Sequence, residues 1–283
     1  MNTMKTLLLM ALLTGIMVAV GGAVGGSSGA SLMLVISIAM NFGTYWFSAP
    51  MVLRSYGAQE IAREDAPELY GLIETLAQRA GLPMPTVAVI ESDVPNAFAT
   101  GRNPEHAAVA VTTGILRVLN YEELSGVLAH ELTHVKNRDI LTSSIAAAIA
   151  GVISWTAQMA FFFGGRSDDD DGGGLGGLFT ILLAPIAAGL IQMAISRSRE
   201  YAADEGGGSL CGNPRYLAKA LEKLDYYAKH GDVMQDATPA TAHMFIINPF
   251  EGVGSKIANL YSTHPATEDR IARLNEQARR IGR

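Results

Sequence analysis

The chain has 283 residues, of which 49% are hydrophobic and 17% charged, and its formal net charge is −6. A charged fraction well below the usual quarter is typical of a membrane protein with a soluble part. The negative charge gives no reason to expect nucleic acid as a partner. The single cysteine, Cys211, excludes an internal disulfide, so any metal site must use histidine and carboxylate ligands.

Two uncharged segments open the chain. Thr6 to Val24 is about long enough to cross a bilayer, and Leu32 to Leu53 follows after a short Gly/Ser connection. A cleaved signal peptide is the alternative for the first segment, because a lysine precedes it and small residues follow it. We favour a retained helical hairpin over residues 1–53, with Tyr45 and Trp46 placed for a membrane interface.

A soluble segment comes next. Apolar residues at helical spacing predict an amphipathic helix over Ala66 to Ala80, ended by Gly81. Three apolar stretches bounded by turn residues then predict strands over Thr86 to Ile90, Asn96 to Thr100 and Ala107 to Thr112. We expect a small sheet whose edge strand binds an extended peptide through its backbone.

The motif His-Glu-x-x-His stands in the middle of the chain, at His130, Glu131 and His134. Residues four apart share one helix face, so the two imidazoles can bind one ion while Glu131 acts on a water at that ion. Two neutral nitrogens, a general base and an open position are what a zinc hydrolase requires. No proline or glycine interrupts Val127 to Ile140, which predicts a helix over that range. The apolar residues of this helix recur at helical spacing: Leu124, Val127, Leu128, Leu132 and Val135.

Two further uncharged runs, Leu141 to Phe163 and Leu178 to Ile195, predict a second transmembrane hairpin. Between them lies a Gly-rich loop with four consecutive aspartates, Asp168 to Asp171, which lack the alternating spacing of a calcium loop.

The basic residues near the ends of the four runs predict the membrane topology. Only Arg166 falls on the side of the acidic loop, so the positive-inside rule places both termini and both soluble segments in the cytoplasm. The basic residues on the cytoplasmic side are Lys5, Arg54, Lys136, Arg138, Arg197 and Arg199.

A third metal ligand is expected directly after the fourth run. Glu200 and Asp204 are one helical turn apart, so Glu200 can bind the metal while Asp204 accepts the second ring N–H of a liganding histidine. With the rise per residue of an α-helix, the histidine pair and Glu200 both lie a turn or two above the same membrane surface. The alternative is that both acids merely cap or snorkel at the membrane boundary.

The motifs together resemble the HtpX family of membrane-bound zinc metalloproteases, gluzincin-type enzymes related to the prenyl-protein CAAX proteases. The segments that carry the resemblance are Gly126 to Asp139, Arg199 to Asp204, Asn96 to Gly101 and Ser262 to Pro265.

The resemblance implies that His130, His134 and Glu200 bind one zinc ion per chain, with Glu131 as the general base and Asp204 supporting a ligand. It also implies an ATP-independent endopeptidase of the bacterial inner membrane that removes damaged or misfolded membrane proteins and serves the stress response. One local difference is the run Glu205-Gly-Gly-Gly208, which is expected to loosen the turn after Asp204.

Four residues have open roles. His264 and Arg270 are candidate donors to the transition-state oxyanion, although His264 could equally cap a final helix over Thr267 to Ile281. His243 is a candidate for the same role or for an inhibitory fourth zinc ligand. Asn96 either contacts the substrate backbone or is an ordinary turn residue.

The sequence therefore predicts a mainly α integral membrane protein with four transmembrane helices and a zincin-like α+β metalloprotease domain carrying a small β-sheet. Residues 1–53 and 141–195 form the transmembrane hairpins, and residues 54–140 and 196–283 form the catalytic segments. The expected partners are polypeptides, chiefly misfolded membrane proteins, and the lipid bilayer, with partner proteases or a homo-oligomer as further candidates.

Two other functions stay open. A membrane scaffold would use the metal structurally, but closed structural zinc sites have four protein ligands and only three are clear here. An intramembrane protease would place the site inside an apolar run, whereas charged residues adjoin this one.

Overall fold

The computed structural model describes residues 2–143, 145, 197–230, 245–246 and 265–283. These residues are mostly helical and form one small mixed sheet. Apart from residues 141–143 and 145, the third and fourth predicted spans lie outside the described residues, as does the acidic loop between them.

Helix α1 (Asn2–Ser55) reverses direction at Gly25 and Gly26, whose backbone angles are not helical. Gly26 has a φ of 59°, a conformation that glycine adopts without steric cost. Beyond this kink the two arms are in contact, because the Asn41 amide donates a hydrogen bond to the Thr14 hydroxyl at 2.9 Å. Within the described part of the chain, Gly25–Ser55 is the one helix long and apolar enough to cross a membrane.

Helix α2 (Pro67–Ala80) matches its predicted range, with proline in its first turn and Gly81 in the left-handed conformation at its end. The strands are β1 (Gln59–Glu60), β2 (Thr86–Ile90), β3 (Ala97–Gly101) and β4 (Ala107–Thr112), and they lie in the order β1-β2-β4-β3. β2 is parallel to β4, whereas β3 is antiparallel to β4. The three predicted strands are thus present to within a residue, and β3 forms an edge of the sheet.

The sheet is buried on both faces. One face, which includes Val87 and Val109, packs into the main core with helices α2 and α4 (Tyr121–Lys136). The other face, which includes Ala88 and Ala110, packs against Val52 near the end of α1. The sheet therefore joins the apolar N-terminal helix to the core.

Helix α4 begins with a capping box, in which Asn120 and Glu123 satisfy each other's backbone N–H groups. It ends at Lys136, four residues before the predicted end, so the prediction of a helix through Ile140 was wrong. Arg138 adopts a left-handed φ of 57°, and the Asp139 N–H donates to the His134 carbonyl at 2.9 Å. This hydrogen bond closes the last turn as in a Schellman motif, and helical conformation resumes at Ile140.

Three more helices complete the described core: α3 (Thr113–Val118), α5 (Arg197–Leu210) and α6 (Pro214–His230), followed by α7 (Thr267–Arg280) near the C-terminus. Helix α4 packs against both α5 and α6, and α7 packs against α5 and α6. The His-Glu-x-x-His motif of α4 is therefore at the centre of a helical layer.

The three glycines after Glu205 lie within helix α5, so the expected loose turn after Asp204 was wrong. A Cβ on Gly207 would lie 2.8 Å from the backbone of His130, and one on Gly206 would lie 2.6 Å from Thr133. The absence of side chains lets the backbone of α5 approach that of α4. The glycine run is therefore a packing feature beside the histidine motif.

We expect Gly207→Ala to lower both stability and metal affinity, because the added methyl group must push α5 away from His130. Overpacking of this kind costs about 1–3 kcal/mol. Thermal melting and metal titration of the purified protein would measure the two effects. Gly212→Ala is unsuitable as a control because its φ is 87°, whereas Gly71→Ala adds a Cβ with no neighbour within 4 Å. Equal behaviour of the Gly71 and Gly207 variants would contradict the packing argument.

Candidate metal centre

His130 and His134 lie one turn apart on helix α4, and their Nε2 atoms are 3.2 Å apart. His130 is 1% exposed, since α5 covers its backbone. The two imidazole rings lie close together because residues four apart share one face of a helix. The Nε2 atoms of both rings therefore point to the same location.

Glu200, in the first turn of α5, brings a carboxylate to that point. Its Oε1 lies 3.5 Å from Nε2 of His134, and its Oε2 lies 3.7 Å from Nε2 of His130. One donor atom from each of these three residues lies within 4.8 Å of the other two. Within the described residues, this is the group of histidine and acidic side chains that could hold a metal ion.

The opposite nitrogen of each ring faces an aspartate. Nδ1 of His130 lies 2.9 Å from Oδ1 of Asp204, an ion-pair distance without regular hydrogen-bond geometry. Nδ1 of His134 lies 3.2 Å from Oδ2 of Asp139. An aspartate at Nδ1 favours the tautomer with its proton on that atom, which leaves both Nε2 lone pairs directed at each other.

Three carboxylates act on His134. Burial opposes the charged imidazole, but Glu200, Asp139 and Glu131 together raise the pKa of His134 from 6.5 to about 9. The pocket is therefore strongly negative and favours a positive charge at Nε2. A bound cation supplies this positive charge just as a proton does.

The donor set fits a zinc ion. In a tetrahedral site with bonds of about 2.1 Å, neighbouring ligand atoms lie roughly 3.4 Å apart. The two Nε2 atoms are 3.2 Å apart, and each lies 3.5 or 3.7 Å from one of the two Glu200 oxygens, which is close to that value. Two neutral imidazoles and one carboxylate are also the donor set of catalytic zinc sites that leave a position open for water. The residues present therefore fit the ion that the sequence predicted.

Glu131 follows His130 in the sequence and is 7% exposed. Its Oε2 accepts a hydrogen bond from the backbone N–H of Ala99 on the edge strand β3 at 2.9 Å. This bond fixes the carboxylate between the histidine pair and the sheet edge. The carboxylate of Glu131 and the edge strand β3 thus lie within hydrogen-bond reach of each other.

Arg270 of helix α7 is fully buried and pairs with Asp204. Its Nε and Nη2 donate to the two carboxylate oxygens at 2.8 and 2.7 Å, and its Nη1 donates to the carbonyl of Ile246 at 2.7 Å. Burial acts to raise the pKa of Asp204, but Arg270 and then His130 hold that pKa well below its usual value. Asp204 is therefore a fixed negative charge behind His130.

The remaining candidate residues have different positions. Asn96 is 2% exposed, and its Oδ1 accepts a hydrogen bond from the Ile246 N–H at 3.3 Å, so the chain itself occupies this acceptor. Arg270 donates to the carbonyl of Ile246, so both the N–H and the carbonyl of Ile246 are hydrogen-bonded. His243 and His264 lie outside the described residues.

Two groups at the site were missed by the sequence analysis. The sequence predicts no separate role for Asp139, although Asn137 just before it is a residue type that often ends a helix and indicates a turn there. The Ala99 N–H carried no signal, because a backbone group is the same in every sequence.

Comparison with known proteins agrees with this geometry. Residues 63–278 match the model of peptidase family M48. Curated relatives named "Protease HtpX homolog" include one from Paraburkholderia phytofirmans, 56% identical with 98% of each chain covered. Another, from Persephonella marina, is 54% identical and covers 100% of this chain and 99% of its own.

The fold is also similar to the crystal structure of S. mikatae Ste24p, with a TM-score of 0.53 and 18% identity. The match covers 97% of this chain but only 65% of that chain, so it supports the fold alone.

The fold and the histidine–glutamate cluster define a metal-dependent peptidase, an enzyme that acts on polypeptides. The chain belongs to peptidase family M48, and its predicted resemblance to the HtpX proteases is confirmed.

Proposed function

We propose that the protein is a membrane-inserted zinc endopeptidase that hydrolyses peptide bonds with Glu131 as its general base. The observation that carries this proposal is the convergence of His130, His134 and Glu200 at spacings suited to zinc, with Glu131 beside them. When bound, zinc would supply Lewis-acid polarisation of a water molecule and of the scissile carbonyl.

The chain's own residues perform the remaining tasks. His130, His134 and Glu200 hold the ion, while Asp204 and Asp139 keep the imidazoles in the tautomer that presents Nε2. Glu131 accepts the proton of the attacking water and returns it to the leaving amine. Its carboxylate needs no large movement, since the Ala99 N–H already fixes one of its oxygens.

An extended polypeptide is proposed to pair with the outer edge of β3. This edge strand lies at the end of the sheet order, and Ala99 in its middle directs its N–H to Glu131 rather than to β4. Pairing through backbone groups binds substrates largely independently of their side chains. That property suits an enzyme for misfolded proteins of varied sequence.

The membrane arrangement is proposed from sequence and from α1. Residues 1–53 and 141–195 form two transmembrane hairpins, and residues 54–140 and 196–283 form the catalytic segments on the cytoplasmic side of a bacterial inner membrane. Large apolar side chains of α1 are exposed, including Leu32, Val35, Phe42 and Phe47, which favours contact with lipid. A site beside such a helix suits the removal of damaged membrane proteins under stress.

A chelator experiment with a matched variant tests the proposal. We expect the purified protein to cleave unfolded casein, to lose cleavage when a chelator removes the metal, and to regain it with zinc. Glu200→Ala should lower zinc occupancy and activity together, because a neighbouring side chain cannot replace the missing oxygen ligand. Glu205→Ala, on the exposed side of the same helix, is the control. Normal zinc content and cleavage in Glu200→Ala would place the third ligand elsewhere.

A further inference from the structure

A cavity of about 270 Å³ lies where the end of α1 meets the sheet. It is formed by α1 from Trp46 to Leu53, by the first residues of β2 and β4, and by the turn between β3 and β4. None of the proposed metal ligands lines it. Its volume is just below the range of cavities that hold drug-sized molecules, so it suits a smaller group.

Arg102 provides a positive charge in this cavity. Its guanidinium carbon lies 4.3 Å from the centroid of the Trp46 ring, and its Nη1 donates to the Trp46 carbonyl at 3.4 Å. Among the described residues, no carboxylate forms an ion pair with this guanidinium. A planar guanidinium fixed on an aromatic ring, with donors still available, is well suited to binding a phosphate.

Glu60 and Glu105 line the same cavity and are both exposed. His106 beside them is oriented by a hydrogen bond of 2.7 Å between its Nδ1 and the Asn103 side-chain oxygen. A ligand with only negative charge would meet two carboxylates, and one with only positive charge would leave Arg102 unpaired. The lining therefore favours a small group that carries both charges.

The position of the cavity indicates where such a group comes from. About 20 helical residues cross the hydrocarbon layer, so a span that begins near Leu32 ends near Met51, and Trp46 lies close to the interface. On the same helix, the side chains of Phe42 and Phe47 are 64% and 57% exposed, which provides an apolar surface for acyl chains. The cavity is thus at the depth of phospholipid headgroups.

We propose that this cavity binds the headgroup of a phospholipid with a phosphate and a primary ammonium group, that is, a phosphatidylethanolamine. Arg102 binds the phosphate, and Glu60 and Glu105 accept hydrogen bonds from the ammonium. The site rests on the insertion of α1 into a bilayer, which is part of the proposed function, but not on peptidase chemistry. Lipid binding and proteolysis therefore fail or succeed independently.

The test is native mass spectrometry of the full-length protein in detergent with lipids of identical acyl chains. We expect phosphatidylethanolamine to bind about fivefold or more tightly than phosphatidylcholine, whose methylated ammonium has no N–H to donate. It should also bind more tightly than phosphatidylglycerol, which lacks the positive charge. Equal binding of all three lipids would overturn the proposal. Extraction of the protein from membranes at alkaline pH without detergent would instead show that the membrane insertion is wrong.

Variants assign the two charges separately. Arg102→Gln should weaken phosphatidylethanolamine binding about tenfold. Glu105→Gln should reduce the preference over phosphatidylcholine, because one of the two negative charges facing the ammonium is lost, and because this residue is exposed its replacement leaves the fold intact. Arg117→Gln, which removes an exposed arginine paired with Asp93, is the control.

A soluble headgroup distinguishes a lipid from a free phosphate ester. Glycerophosphoethanolamine at the same concentration should not compete with the lipid, because it lacks acyl chains to contact α1. Competition at equal concentration would assign the cavity to a soluble ligand and overturn the lipid assignment, as would unchanged binding in Arg102→Gln.

Discussion

Glu131→Gln is expected to abolish peptide hydrolysis while leaving metal binding intact. Glutamine has the same shape, and its carbonyl oxygen can still accept the hydrogen bond from the Ala99 N–H, so the local structure is preserved. What is lost is the ability to accept a proton from the attacking water. Removing a general base typically lowers the rate about 10²- to 10⁴-fold.

The measurement is casein cleavage together with the zinc content of the same preparation. Glu122→Gln is the matched control, since Glu122 is exposed in the first turn of the same helix. A zinc-loaded Glu131→Gln protein that kept a large part of the wild-type rate would refute the assignment of Glu131. Loss of zinc in this variant would instead show that the carboxylate contributes to binding the ion.

The sequence was most informative where structure depends on local pattern. Helix α2, the strands β2 and β4, and the burial of the apolar face of α4 all follow from periodicity and from residues that begin or end elements. The approach of Glu200 to the histidine pair was also predictable, because His134 shortly precedes the third apolar run and Glu200 shortly follows the fourth, so both are expected above the same membrane surface. These features depend little on contacts between residues that are distant in the sequence.

Features that depend on an uncommon backbone conformation or on tertiary contact were not correctly predicted. The end of α4 at Lys136 depends on a left-handed Arg138, a conformation rare for arginine and stabilised here by hydrogen bonds of the following residues. The glycines of α5 suggested a loose turn, but Gly206 and Gly207 are required by the close approach of Thr133 and His130. The approach of α5 to α4 is not encoded by a local pattern, so only the assembled fold reveals it.

Arg270 illustrates the same limit at longer range. Its partner Asp204 is 66 residues away, and the sequence suggested a role at the oxyanion instead. In the structure its Nε, Nη1 and Nη2 bond Asp204 and Ile246, so its nitrogen donors are engaged. This geometry predicts that Arg270 acts by holding Asp204, and through it His130, in place.

We therefore expect Arg270→Met to destabilise the protein by about 3–5 kcal/mol, the usual cost of leaving one charge of a buried pair alone. Asp204 would remain charged and buried, because methionine supplies no hydrogen bond. Since the pKa of Asp204 is lowered in the folded state, this contribution to stability is present at neutral pH. It is lost as the pH falls below about 3.9, the pKa of an unfolded aspartate, towards the folded value.

Thermal melting at pH 7 and zinc titration would measure the effect on stability and on the metal site. The double variant Arg270→Met with Asp204→Asn removes both charges and should recover much of the lost stability. It should not recover zinc affinity, because an amide orients His130 less firmly than a carboxylate, a difference worth about 10- to 100-fold. Arg63→Met, which breaks an exposed pair with Glu74, should change neither property. Recovery of both stability and zinc affinity in the double variant would show that Asp204 serves only to neutralise Arg270.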